Sequence, residues 1–165
     1  MVDQTNIKDM RMLVTAYPSF VQTTATTDDI AKAFIIKPNL KSVYVVDDKL
    51  RLLGNITLKN LIKHEFIGLV PSSFEYFDAL EFIGKKTAED LMTRAIYVKD
   101  NDSLKDAFVK MYEHDVEELP VVDDDHHLIG NIDIIELLSY LIEKKEMKAN
   151  KSFLKLTINR PFIRT

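Results

Sequence analysis

The stretch VVDDKLRLLGNI, Val45–Ile56, returns 76 positions later as VVDDDHHLIGNI, Val121–Ile132. Aligned without gaps, Val43–Ile62 and Leu119–Leu138 share nine of twenty residues, and most of the others keep their polarity class. Self-similarity at a fixed distance marks a duplicated structural unit. Each copy reads as a short β-rich apolar run (VYVV or LPVV), an Asp-rich turn and a second run (LLGNI or LIGNI), which together predict a hairpin. Beyond the hairpin, Leu58, Leu61 and Ile62 in one copy, and Ile134, Leu137, Leu138 and Leu141 in the other, fall on one face of a helix.

The likeness extends upstream. DDIAKAF (Asp28–Phe34) matches DSLKDAF (Asp102–Phe108) after a two-residue shift. Both predict a one-sided helix, opened by Asp28 in the first copy and by Asp102 or Ser103 in the second, since these side chains accept the orphan N–H groups of a first turn. Further up, IKDM (Ile7–Met10) resembles AEDLM (Ala88–Met92). The predicted unit is strand, helix, strand, strand, helix, a mixed α/β (α+β) arrangement. One unit alone would leave half its apolar surface in water, whereas two packed with pseudo-twofold symmetry bury it. The expected boundaries are a first repeat over 7–66, an inter-repeat insert over 67–86, a second repeat over 87–146 and a C-terminal tail over 147–165.

Insert and tail differ from the repeats in composition. FIGLVPSSFEYFDALEFIGKK (Phe66–Lys86) is dense in aromatics, and the spacing of Phe74, Phe77 and Leu80 predicts a short helix opened by Ser72 or Ser73. It is read as packing on its host domain, with a lid or a partner surface as the alternative. The tail holds five Lys/Arg and no Asp/Glu, so a net charge of −4 divides into −9 on the first 146 residues and a basic end. That end either stays solvated or docks on the acidic body, on a neighbouring subunit or on an acidic partner. KSFLKLTINRPF (Lys151–Phe162) alternates as a short strand would.

Composition excludes several functions. Without cysteine there are no disulfides, thiolate zinc sites or cysteine nucleophiles. No apolar run approaches the ~20 residues that span a bilayer, and the N-terminus lacks a signal-peptide core, so a cytoplasmic location and no membrane partner are expected. An acidic body argues against nucleic acid as a partner. Four glycines cannot assemble a Walker or Rossmann fingerprint, and no Ser-His-Asp pattern has its context. DDDHH (Asp123–His127) has the residue types of a metal cluster, but it stands where the repeat places a turn and its counterpart is DDKLR. His64 and His114 are isolated and read as surface or capping residues. EHDVEE (Glu113–Glu118) reads as a solvated helix end.

GNITLKN (Gly54–Asn60) and GNIDIIE (Gly130–Glu136) resemble the strand-to-helix signature of CBS domains: Gly, two variable positions, Thr or Ser, two variable positions, Asp. ELPVVDDDHHLIGNI (Glu118–Ile132) is similar to that family's Pro-Val-Val-Asp hairpin, with Tyr44 replacing the Pro in the first half. The duplication in the right order makes the chain resemble a stand-alone tandem CBS pair, a Bateman module, over about residues 7–64 and 87–145. The resemblance implies a regulatory, non-enzymatic protein that needs no cofactor. It implies an adenosine compound as ligand in clefts between the repeats: AMP, ADP, ATP, S-adenosylmethionine or a cyclic dinucleotide, with or without magnesium. It also implies a homodimer that signals to a protein partner. The alternative is a protein-interaction or scaffold module with degenerate clefts, in which tail or insert carries the contact.

Site residues follow from the same resemblance. Thr57 and Asn60 stand at the phosphate and ribose positions of one cleft, Asp133 and Glu136 at those of the other. Thr23, Thr24, Ser42 and Tyr44 in the first half, and Arg94, Ile96, Val98 and Glu118 in the second, complete the implied set. Asn60 keeps one acceptor oxygen but loses charge assistance, and the Asp133 carboxylate repels a phosphate unless a cation intervenes. The Thr57–Asn60 cleft is therefore expected to be the better nucleotide site. The Asp133–Glu136 cleft is expected to be empty, or to take a nucleoside-like or metal-bridged ligand. Arg94 is the expected phosphate clamp, because its guanidinium fork matches phosphate oxygens.

Overall fold

In the computed structural model, which describes residues 5–11, 18–66 and 84–158, the two hairpins are superposable down to their irregularities. β2 (Ser42–Val46) pairs antiparallel with β3 (Leu52–Thr57), and β5 (Glu118–Val122) with β6 (Leu128–Asp133). Both ladders shift register at the equivalent step, Val45/Val46 and Val121/Val122. The turns match too. Asp47 Oδ1 accepts from the N–H groups of Lys49 and Arg51, and Asp123 Oδ1 from those of Asp125 and His127. Leu50 and His126, at equivalent positions, both adopt positive φ (63° and 69°). DDDHH is thus a hairpin turn whose first carboxylate is committed to backbone donors.

A parallel edge strand completes each sheet, β1 (Phe20–Gln22) beside β2 and β4 (Val98–Lys99) beside β5. The crossovers are α2 (Thr27–Ile36) and α5 (Leu104–His114). α3 (Leu58–Phe66) and α6 (Ile134–Ile158) follow the hairpins, and two short helices, α1 (Ile7–Arg11) and α4 (Ala88–Leu91), precede β1 and β4. The order strand, helix, strand, strand, helix is the expected one.

The cores explain why the unit must be doubled. Ile30, Phe34, Val43, Val45, Ile56 and Leu61 form one core, into which α4 delivers Ala88 and Leu91. Val98, Leu104, Ala107, Met111, Leu119, Val121, Ile132 and Leu137 form the other, which receives Ile7 and Met10 from α1. Each short helix therefore serves the opposite half. The exchange is pinned by backbone bonds: Ile7 N–H to Asp102 O and Leu104 N–H to Thr5 O on one side, Ala88 N–H to Ala25 O and Thr27 N–H to Lys86 O on the other. A third cluster, Tyr44, Leu52, Ala95 and Val122, lies between the halves. Fully buried aliphatic side chains such as Ile56 and Ile132 each contribute roughly 1.5–3 kcal/mol.

Two expectations need correction. The first crossover helix is capped by Thr26, not by Asp28, and the second by Ser103, one of the two residues expected there, each in a capping box with Asp29 or Asp106. Asp28 lies inside the first turn, and the two-residue shift aligning Asp28 with Asp102 is not the structural one. A hydroxyl followed by Asp three residues later satisfies two donors reciprocally, which outcompetes a lone Asp cap. Secondly, Lys151–Ile158 belongs to α6, so the strand reading of this segment is wrong. Good helix formers with no Gly or Pro from Ile134 to Ile158 let the helix propagate through the alternation. The aromatic insert over 67–83 and residues 159–165 of the tail lie outside the described residues. Among the described residues no helix is long and apolar enough to cross a membrane.

Candidate functional site

The pseudo-twofold axis passes between equivalent residues. Arg51 and His127 bridge each other, flanked by Leu52 N–H to His126 O and Leu128 N–H to Leu50 O. At the other end of the hairpins Lys41 Nζ meets Glu117 Oε2 at 2.6 Å. Two equivalent strand-to-helix junctions are related by this axis, where β3 runs into α3 and β6 into α6, and a cavity of about 230 Å³ at the second is lined by Met10, Asp133, Glu136 and Tyr140. Three positions in each are equivalent in sequence and register: Ser42 pairs with Thr57 in one ladder and Glu118 with Asp133 in the other, with Asn60 and Glu136 one turn into the helices.

The first junction keeps neutral groups with hydrogen-bonding capacity to spare. Thr57 Oγ1 accepts from Asn60 N–H at 3.2 Å, capping α3 and leaving the hydroxyl proton for another acceptor. The Asn60 amide and the buried Ser42 hydroxyl have no hydrogen-bond partner among the described residues. The end of β3 and the first turn of α3 thus present donors and an acceptor beside a helix N-terminus without any carboxylate at these three positions.

The second junction replaces all three with acids and spends them internally. Asp133 Oδ1 accepts from Glu136 N–H (2.8 Å) while Glu136 Oε2 accepts from Asp133 N–H (3.0 Å), a closed capping box. Glu118 accepts from the Tyr44 hydroxyl, which arrives from the first repeat. Burial raises Glu118, opposed by the Tyr44 hydrogen bond and reinforced by the neighbouring Asp133 charge. Burial also raises Glu136. Tyr44 itself lies well above the phenol range through burial and then the nearby Glu118 charge. A phosphate here would meet three carboxylates.

The remaining expected residues are dispersed. Thr23 and Thr24 form the turn after β1, with the Thr23 carbonyl accepting from Glu89 N–H. Val98 is enclosed in the second core, and Ile96 packs against it. Arg94 follows Thr93, whose N–H and C=O exchange hydrogen bonds with Asn55 in an antiparallel bridge. Continuing antiparallel to β3, the chain carries Arg94 toward Leu53 and away from Thr57. The groove that Arg94 lines is walled by residues 95–97, Lys99, Asp102 and Lys110, and does not include Thr57 or Asn60. The sequence reading missed the axial Lys41–Glu117 pair, although the two positions align and bear opposite charge. It also set His64 aside as isolated, whereas its Nε2 lies 2.8 Å from Lys85 O at the entry to α4. Tyr140, its equivalent, holds Thr5 at 2.6 Å before α1. His114 ends α5 at the surface.

Comparison with known proteins follows the same division. Residues 7–66 and 88–143 each match the family model described as CBS domain. No curated protein matches the sequence significantly. Among solved structures, a CBS domain-containing protein from Thermotoga maritima is similar, with a TM-score of 0.68 and 25% identity over 85% of this chain and 96% of that one. The CBS domain pair of protein MJ0100, solved with 5′-methylthioadenosine and S-adenosyl-L-methionine, gives a TM-score of 0.62 and 25% identity, covering 84% and 99%. CBSX2, solved with AMP, shares the fold at a TM-score of 0.67 and 24% identity over 85% and 98%.

Proposed function

Because the chain belongs to the CBS domain family and carries two such domains in tandem, we propose that it is a regulatory module, not a catalyst, and binds an adenosine compound in the cleft of Ser42, Thr57 and Asn60. The observation that carries this reading is the contrast between equivalent positions: unspent hydroxyl and amide groups in one cleft, three internally satisfied acids in the other. Thr57 and the N-terminus of α3 would donate to a phosphate or its neutral replacement, and Asn60 would accept from a ribose hydroxyl. The likeness to a pair that holds 5′-methylthioadenosine and S-adenosyl-L-methionine supports an adenosine ligand whether or not it carries phosphate.

Signalling requires that the ligand bind two arrangements of the halves unequally. The cross-repeat contacts at Lys41–Glu117 and Tyr44–Glu118 are the ones such a shift would alter, and a protein partner would read it. A homodimer is part of the proposal. Leu58, Ile62 and Phe66 on α3, Phe108 and Tyr112 on α5, and Ile135, Leu138 and Leu141 on α6 are all more than a third exposed, an amount of apolar helix surface that a monomer rarely leaves in water.

A thermal-melt panel with AMP, ADP, ATP, 5′-methylthioadenosine, S-adenosylmethionine and cyclic dinucleotides, with and without magnesium, tests this. At 100 times its Kd a ligand adds about 2.7 kcal/mol, which for a chain of this size is on the order of 5 °C. A shift that disappears in Thr57→Ala supports the proposal. The absence of any shift at millimolar ligand would favour a scaffold whose clefts bind nothing.

A further inference from the structure

The last helix outgrows the repeat that starts it. α3 ends at Phe66 after 9 residues, whereas α6, its equivalent in the second repeat, runs 25 residues from Ile134 to Ile158. The match to the family model stops at residue 143. Residues 144–158 thus carry the helix about 22 Å further, at 1.5 Å per residue. Residues 145–151 are all exposed. With no Gly or Pro between Ile134 and Ile158, the helix has no hinge at which to fold back on its own body.

The extension is patterned. Ile135, Leu138 and Ile142, all exposed, and Ala149, one heptad beyond Ile142, follow one side of α6 at spacings of three, four and seven. Lys145 and Lys148, three residues apart, border that side. Residues 144–158 hold five Lys and one Glu, while residues 1–143 hold 25 Asp/Glu and 15 Lys/Arg. Two extensions laid against each other would repel, whereas one laid on the body of another copy meets opposite charge. The stripe also begins in the exposed apolar helix surface assigned above to the dimer, so the extension prolongs that surface.

On the body, the end of α5 offers both complements. Phe108 and Tyr112 stack at 6.3 Å and are 51% and 81% exposed, and the exposed Glu113 and Asp115 follow them. Elsewhere the exposed Ile62 of α3 adjoins Lys59 and Lys63, and Ile35 and Ile36 of α2 adjoin Lys32 and Lys37. We infer that the extension of α6 clasps a second copy of this chain, with its apolar side on that copy's Phe108–Tyr112 stack and Lys145 and Lys148 against that copy's Glu113 and Asp115. In a twofold dimer the contact is made twice. The inference rests on the homodimer proposed above and not on the adenosine site.

The test is sedimentation velocity of the full chain over a concentration series, in wild type, in Lys145→Glu with Lys148→Glu, in Glu113→Lys with Asp115→Lys, and in the combination of all four. These positions are exposed, so their replacement leaves the cores intact. A wild-type dimer is expected, at least tenfold weaker in either charge reversal and restored when the two reversals are combined. Zero-length carbodiimide cross-linking of mixed ¹⁴N- and ¹⁵N-labelled chains should join Lys145 or Lys148 to Glu113 or Asp115 in pairs that carry both labels. A dimer that survives either reversal, a combination that fails to restore it, or cross-links confined to one label would overturn the inference and leave the homodimer standing. A monomer at every concentration would overturn both.

Discussion

The Tyr44 hydroxyl donates to the Glu118 carboxylate, joining the middle of β2 in the first repeat to the first residue of β5 in the second. Tyr44 is 1% exposed, and its ring belongs to the cluster between the halves. The tyrosine end of the bond is therefore closed to water, while Glu118 is half-buried. Tyr44→Phe keeps the ring and removes the donor, leaving the half-buried acid short of one hydrogen bond. A loss of about 1–3 kcal/mol is expected, measured by urea unfolding at neutral pH.

The same acid should shape the pH dependence of stability. Burial holds Glu118 and Glu136 above the ordinary carboxyl value of 4.5. In that case the native state keeps protons that the unfolded chain has released, and stability falls as pH rises from 4.5 through the raised native values. Glu118→Gln cannot ionise yet still offers an oxygen to Tyr44. Its melting temperature should exceed that of wild type at pH 7.5, with the gap closing near pH 4. An unchanged gap across this range would show that the ionisation of Glu118 is not the cause.

The capping aspartates act with the opposite sign. Hydrogen bonds from Ser103 hold Asp106 below its ordinary value, and those from Thr26 do the same for Asp29. Their contribution is present above the ordinary value of 3.8 and is lost as pH falls through the depressed native values. Ser103→Ala removes one cap and should cost about 1 kcal/mol, seen as a lower urea midpoint at pH 7. The deficit should shrink in acid, where Asp106 is protonated in wild type as well.

Gly54 is required by close approach, not by its backbone angles. A Cβ there would stand 2.5 Å from the Thr93 carbonyl oxygen and 3.0 Å from Met92 Sδ. Thr93 cannot retreat without breaking its paired bonds to Asn55. Gly54→Ala is expected to cost on the order of 1–3 kcal/mol by overpacking, measured by chemical unfolding, and to disturb the amide signals of residues 92–95.

How far the sequence disclosed these features depends on their range. The hairpins were legible because period-two runs, Asx turns and a duplicated GNI are local. The exchange of α1 and α4 between cores was not, because IKDMR and AEDL look the same whichever half they serve. Thr57 and Asn60 meet at the first turn of α3, where Asn60 N–H donates to Thr57 Oγ1. The acidity of the other cleft was visible at Asp133 and Glu136, but their mutual capping was overlooked, even though an acid and a Glu three residues apart spell a capping box. Arg94 was assigned to a phosphate by the resemblance, from its place at the start of the second repeat, and by the shape of its guanidinium fork. Only the Thr93–Asn55 pairing shows that the chain turns it away from Thr57. The strand reading of Lys151–Ile158 failed because alternation over a few residues cannot outvote a helix already propagating from Ile134.

The measurement that bears most directly on the central claim is binding stoichiometry by isothermal titration calorimetry, using the adenosine compound that gives the largest thermal shift. One ligand per chain is predicted for wild type and for Glu136→Gln, with binding abolished or weakened at least tenfold in Asn60→Ala and Thr57→Ala. Two equivalent sites per chain, or binding lost in Glu136→Gln and retained in Thr57→Ala, would contradict the assignment of the ligand to the Ser42–Thr57–Asn60 cleft.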